Sequence, residues 1–165
     1  MIRPMTTKDS VHVQQIARKT WRVTYNGLIP EETQTRFIDR FYSYAMMEKC
    51  MEKTFVLIAE HQGIPIGFAN FTRKDEDGDS ELTAMYILPE FQQLGYGAML
   101  FKEALSILQD AHQLFVYVDE RNTIGRTFYE KHGFELLDVF EEYFEGHPVV
   151  TAQYVYHIRS AVLVS

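Results

Sequence analysis

Glu81–Leu100, ELTAMYILPEFQQLGYGAML, joins an apolar strand to the first turn of an apolar helix, with a break at Pro89. Between strand and helix lies Gln92-x-x-Gly95-x-Gly97, a glycine-rich loop aimed at a helix N-terminus. Such a junction presents backbone N–H groups that have no partner within the helix, in front of the positive end of the helix dipole. It suits a phosphate or pyrophosphate and needs almost no side-chain chemistry to hold one. A Cβ at Gly95 or Gly97 would push the anion away or forbid a positive φ. The pattern alone has little specificity, because glycine makes up about 7% of residues in any protein. The strand before it and the helix after it give it weight.

Two nucleotide-binding readings fail on details. A dinucleotide fingerprint needs Gly or Ala three positions after Gly97, where Leu100 stands, and its strand should open the sheet. Here three apolar runs come first, although Asp119-Glu120 mimics the ribose-binding carboxylate. A phosphate-binding P-loop needs Gly-Lys-Ser/Thr, which does not follow.

Working outward from this loop, Ile2–Met5 reads as a short strand, and a helix capped at Thr7 or Asp9 runs to about Thr20. Trp21–Pro30, WRVTYNGLIP, carries turn signals and is expected to be irregular. A second helical region starts at Glu31. Thr54–Glu60 and Ile64–Thr72 form a hairpin about Gln62-Gly63, and the acidic loop Lys74–Ser80 leads into the central strand. A helix over 97–110 follows, then Leu114–Val118, apolar enough to be a buried central strand. A helix from Asn122 to His132 stops at Gly133, and two strands, about Glu135–Tyr143 and Val149–Ile158, close the chain. With no repeat or linker, residues 1–165 read as one domain.

The 165 residues are 46% apolar and 24% charged, as in a folded domain with a sizeable core. A net charge of −7 argues against nucleic acid or an anionic membrane as partner. The lone Cys50 forms no internal disulfide, and Met1-Ile2-Arg3-Pro4 opens no apolar leader, so a cytoplasmic protein is expected. The six histidines lack metal-ligand spacing, and no metal is expected.

A second constellation is Asn122-x-x-x-Arg126-x-x-Tyr129-Glu130-Lys131-x-Gly133-Phe134. On a helix, Asn122 and Tyr129 lie two turns apart on nearly one face. The plainer readings are that Asn122 caps the helix and that Tyr129 is a core aromatic with its hydroxyl tied to backbone.

Together the two motifs resemble the GNAT superfamily of acyl-CoA-dependent N-acetyltransferases. Gln92-x-x-Gly95-x-Gly97 is similar to its pyrophosphate loop, and NTIGRTFYEKHGF, from Asn122 to Phe134, is similar to its second motif. They stand in the right order, with a helix and a strand between them.

The resemblance implies an α/β fold: a mixed, mostly antiparallel, twisted sheet of about seven strands with about four helices, two of them on the N-terminal side. Its central parallel strands, 81–88 and 114–118, would splay at their C-terminal ends. It implies acetyl-CoA as co-substrate, with backbone of Met85, Tyr86 and Ile87 along the pantetheine arm. Gln92 opens the pyrophosphate loop, and Gln93, Leu94, Gly95, Tyr96, Gly97 and Ala98 would wrap the pyrophosphate. Asn122 would bond the cofactor arm, Tyr129 would protonate the departing CoA thiolate, and Lys131 would reach toward the 3′-phosphate. Backbone N–H groups near Ile87 would face the oxyanion.

An alkylamine of pKa about 10.4 is neutral only about once in 2,500 molecules at pH 7, so deprotonating it costs about 4.6 kcal/mol. Glu81 stands where some members of the family carry a base; the plainer reading is a solvated strand end. Trp21, Tyr25, Tyr86 and Tyr143 are aromatics available to an acceptor pocket. The segment Trp21–Pro30 resembles a subgroup that includes PaiA-like polyamine acetyltransferases. With the −7 charge and the acidic loop 75–81, it favours a small polyamine-like acceptor, bound by a monomer or homodimer. A protein N-terminus or lysine as acceptor, and a non-catalytic acetyl-CoA sensor, are the alternatives.

Overall fold

In the computed structural model, which describes residues 1–158, the chain runs β1 (Ile2–Pro4), α1 (Ser10–Thr24), α2 (Glu31–Phe41), α3 (Tyr44–Lys53), β2 (Thr54–His61), β3 (Ile64–Thr72) and β4 (Asp79–Ile87). It continues through α4 (Tyr96–Ile107), β5 (Gln113–Asp119), α5 (Thr123–Lys131), β6 (Glu135–Phe144) and β7 (His147–His157). The strands form one seven-stranded sheet, β1-β2-β3-β4-β5-β7-β6. Every neighbouring pair is antiparallel except β4 and β5. This is the expected mixed sheet with a parallel pair at its centre.

The N-terminal third departs from expectation. Among the described residues there are five α-helices rather than about four, three of them before β2 rather than two. The break after α2 falls at Tyr42-Ser43, where the Ser43 hydroxyl caps α3 by accepting from the Met46 N–H at 3.3 Å. Trp21–Thr24 are not irregular: they continue α1, whose buried residues Val13, Ile16, Ala17, Thr20 and Trp21 keep helical spacing. The irregular part is Tyr25–Pro30, and Gly27 turns it at a φ of +77°.

Two cores flank the sheet. Under α4 and α5 pack Leu57, Phe71, Leu82, Leu114, Val116 and Tyr154. Under α1–α3 pack Ile16, Trp21, Ile38, Ile58, Phe68 and Ala84. The exposed edge strand β6 carries Glu135, Asp138, Glu141 and Glu142, and charges of one sign along an edge resist pairing with another chain.

The parallel pairing is short. It runs only from Asp79–Leu82 against Gln113–Val116. Beyond it, β4 stays on β3 through Ile87 while β5 stays on β7 through Asp119, so the two strands part as expected. A bulge marks the parting: Leu82 pairs with Phe71 and Ala84 with Asn70, leaving Thr83 as the extra residue. In consequence Leu82 and Met85 pack on the α4 side, and Ala84 and Tyr86 on the α1 side.

Candidate active site

Where β4 and β5 separate, a cleft of about 260 Å³ opens. Its floor is Leu82–Ile87 and Val116–Val118, its roof is Thr20–Tyr25 at the end of α1, and its far wall is Arg121–Gly125 with Tyr129. Since Thr83–Ile87 have lost their β5 partner, the β4 edge that faces the cleft offers backbone polar groups to a ligand.

Of the expected residues, the cleft wall gathers Met85, Tyr86, Ile87, Gln92, Asn122, Tyr129, Trp21 and Tyr25. Tyr129 is 7% exposed, and its hydroxyl has no hydrogen-bond partner among the described residues. Burial raises its pKa well above the usual phenol value, so it stays protonated through neutral pH. Tyr25 is likewise shifted upward by burial, with Tyr86 and Asp119 adding to the effect. The Tyr86 hydroxyl is engaged, accepting from the Trp21 indole N–H at 3.0 Å. Trp21 is itself a core residue, its ring 4.6 Å from that of Phe37. Asn122 does cap α5, its Oδ1 accepting from the Gly125 N–H at 3.0 Å, while it lines the cleft as well.

At the near end stands the glycine-rich loop. Gln93 and Gly95 take positive φ values of +62° and +94°, and no side chain caps α4, so the N–H groups that open the helix have no intrahelical partner. The two glycines differ in role. Gly97 has no positive φ; a Cβ there would lie 2.9 Å from the Phe128 ring, so its smallness lets α4 and α5 approach. Gln92 does not reach outward, because its Nε2 donates to the Ile87 carbonyl at 3.0 Å and ties the loop to the end of β4. Tyr96 is anchored too, its hydroxyl 2.6 Å from His61 Nδ1. Leu94 and Lys131 are exposed.

Two expected acceptor-side residues lie outside the cleft wall. Glu81 sits below the bulge, half-buried, where burial raises its pKa; the nearby Tyr117, which does line the cleft, feels its charge. Tyr143 is 77% exposed and belongs to a neighbouring concavity. The acidic loop is also displaced: Asp79 pairs with Gln113 at the other end of the parallel strands, and no residue of 74–80 lines the cleft. Three of its carboxylates, Asp75, Asp77 and Asp79, bring oxygens within 4.8 Å of one another, but Asp75 is occupied by the N–H groups of Asp77 and Asp79.

The sequence reading missed Arg121. It lines both the cleft and the second concavity, of about 270 Å³, which Glu120, Glu141, Glu142 and Tyr143 also line. Its guanidinium forks onto Asp119 at 2.8 and 3.0 Å. Burial works against the Asp119 charge, yet the Arg121 side chain and backbone N–H hold its carboxyl below the usual value. Arg121 is therefore a neutralised cation between the two spaces. An Asp-x-Arg pair after a buried strand was the available signal.

A splayed parallel pair beside an uncapped helix start is the architecture of an acyl-CoA N-acyltransferase. The family model described as acetyltransferase (GNAT) matches residues 13–134, and the chain belongs to that family. Among its relatives, a spermidine N(1)-acetyltransferase of Thermoplasma acidophilum is 28% identical over 145 residues, 83% of this chain and 89% of that one. The uncharacterised N-acetyltransferase YuaI of Bacillus subtilis is 30% identical over 126 residues, 73% of this chain and 72% of its own. The crystal structure of PaiA N-acetyltransferase from T. acidophilum in complex with coenzyme A matches with a TM-score of 0.81 and 25% identity. It covers 94% of this chain and 98% of that one.

Proposed function

We propose that the protein transfers an acetyl group from acetyl-CoA directly to a primary amine of a small, polyamine-like acceptor in a ternary complex. The observation that carries the transfer is the buried Tyr129 that lines the gap between β4 and β5, its hydroxyl without a hydrogen-bond partner among the described residues. Acetyl-CoA supplies an acyl group activated as a thioester. The residues present fit it: an open N–H cradle over Gln93–Ala98 for a pyrophosphate, and a free β4 edge for an amide-bearing arm. The amine forms a C–N bond as the C–S bond breaks. Tyr129 gives its proton to the departing thiolate and regains one from solvent. N–H groups of the free edge stabilise the charge that develops on the carbonyl oxygen. Glu81, paired with Phe115 just below the point where the strands part, takes the amine proton through water.

The polyamine preference is supported by charge in the second concavity. No carboxylate lines the cleft itself among the described residues, but Glu120, Glu141 and Glu142 line the adjoining space on the far side of Arg121. A reactive amine in the cleft leaves a distal ammonium within that acidic field. The named activity of the Thermoplasma relative points the same way.

The test is CoA thiol release with spermidine, a monoamine, an aminoglycoside and a peptide N-terminus. We expect spermidine to be the best acceptor, with a kcat/KM that falls clearly from low to high salt as attraction is screened over about 8 Å. A monoamine should change little. Cofactor binding with no release on any amine would overturn the enzyme reading in favour of a sensor.

Glu81→Gln tests the base. A base works only when ionised, so the rate should rise with pH through the Glu81 pKa, which burial has raised. The variant should lose that limb and become active only at higher pH, where the free amine accumulates. A change in KM alone would make Glu81 a binding residue.

A further inference from the structure

We propose that Tyr154 is the positioning residue of this active site, acting through α5 on Tyr129. Of the nine residues of α5, Tyr129 is the one that is buried and Phe128 packs partly buried against the same core, so few apolar side chains set the rotation and slide of the helix. A polar pin supplies the constraint. Arg126 Nε donates to the Tyr154 hydroxyl at 2.9 Å, and that hydroxyl donates to Glu130 Oε2 at 2.6 Å. Arg126 Nη1 also reaches the Glu120 carbonyl at 3.2 Å, tying the helix back to the end of β5. Arg126 and Glu130 stand one turn apart on the helix, and Tyr129 precedes Glu130, so one buried oxygen fixes the turn that carries Tyr129.

Tyr154 is fully buried in the core, on β7, and lines neither cleft. Its ring centroid is 6.4 Å from that of Tyr129. It therefore touches no substrate, and any effect on turnover must pass through α5. Sheet and helix are joined at this point by hydrogen bonds, which have direction, and not by packing alone, which tolerates a small rotation.

This inference rests on Tyr129 as the proton donor, and the experiment separates the two. Single-turnover rates and CoA release are measured with acetyl-CoA and spermidine, or the acceptor that the amine panel identifies, for Tyr154→Phe, Tyr129→Phe and the double variant. The phenylalanine ring keeps the core filled, and thermal unfolding checks the fold. We expect Tyr154→Phe to lose about tenfold in kcat, since small misplacements of a reacting group cost up to about a hundredfold. In the Tyr129→Phe background it should lose nothing further. Glu130→Gln, which keeps an acceptor oxygen, should retain activity that Glu130→Ala loses. If Tyr129→Phe alone keeps full kcat, the proton-donor reading falls whatever Tyr154 does. If Tyr129→Phe falls but Tyr154→Phe keeps its kcat, or loses equally in both backgrounds, the positioning role is overturned. Should Tyr154→Phe fail to fold, the exposed Glu130 decides, and equal rates for its two variants overturn the proposal.

Discussion

Tyr129→Phe is expected to lower kcat by about 10²–10⁴-fold, the usual contribution of a positioned general acid or base. The substitution removes one oxygen and leaves the ring, which contacts Phe128, Phe134 and Tyr154. Packing is therefore kept, and the hydroxyl has no partner among the described residues whose loss would strain the fold. Burial keeps the phenol protonated well beyond its ordinary range, so the wild-type rate should show no falling limb from Tyr129 at moderately alkaline pH. Affinity for acetyl-CoA should change little, because the pyrophosphate cradle and the free β4 edge are untouched. The comparison needs an acceptor for which chemistry limits turnover. Full kcat in Tyr129→Phe under that condition would reduce the tyrosine to packing.

The largest stability effect is expected at Phe68. It is fully buried at the centre of the core on the α1–α3 side, with its ring 5.5 Å from that of Tyr86 and 5.9 Å from that of Tyr42. Phe68→Ala should cost about 3–5 kcal/mol, against about 5–15 kcal/mol for a typical domain. Urea unfolding measures it. The loss reaches the site as well, because Phe68 supports Tyr86, whose hydroxyl joins Trp21 to β4. A loss under about 1 kcal/mol would mean that this core does not pack as described.

How much of this could be read in the sequence depended on whether a feature was local. Gly95 at a helix start, the hairpin about Gln62-Gly63 and the stop at Gly133 are decided by a few neighbouring residues, and all three take positive φ as their positions require. The parallel pair was legible because a helix separates two apolar strands. The bulge at Thr83 was not, since it depends on how β3 meets β4 across the sheet. Trp21 was read as part of an irregular segment because Asn26-Gly27 stands nearby; its burial against Phe37 and Phe144 instead carries α1 through to Thr24.

The site followed the same division. Gln92, Asn122 and Tyr129 of the two motifs line one cleft, while Lys131 of the second motif lies outside it. Arg121, Thr24 and Tyr117 reach the same cleft from a turn, a helix and a strand, and of the three only Arg121, in its Asp-x-Arg pair, carries a signal along the chain. The acidic loop 75–81 read as an attraction for a polyamine because of its clustered negative charge. In the fold, the paired start of β4, Asp79–Leu82, separates it from the cleft, and the carboxylates that stand beside Arg121 are those of Glu141 and Glu142, far along the chain.

We propose that the gap between β4 and β5 holds the thioester beside Tyr129. A crystal structure of the complex with acetyl-CoA tests it most directly. The pyrophosphate is expected on the N–H groups of Gln93–Ala98, the pantetheine arm along the free edge of Thr83–Ile87, and the sulfur within hydrogen-bond reach of the Tyr129 hydroxyl. An acetyl-CoA bound with its thioester outside the gap, or β4 and β5 paired beyond Leu82 and Val116 in the complex, would contradict it.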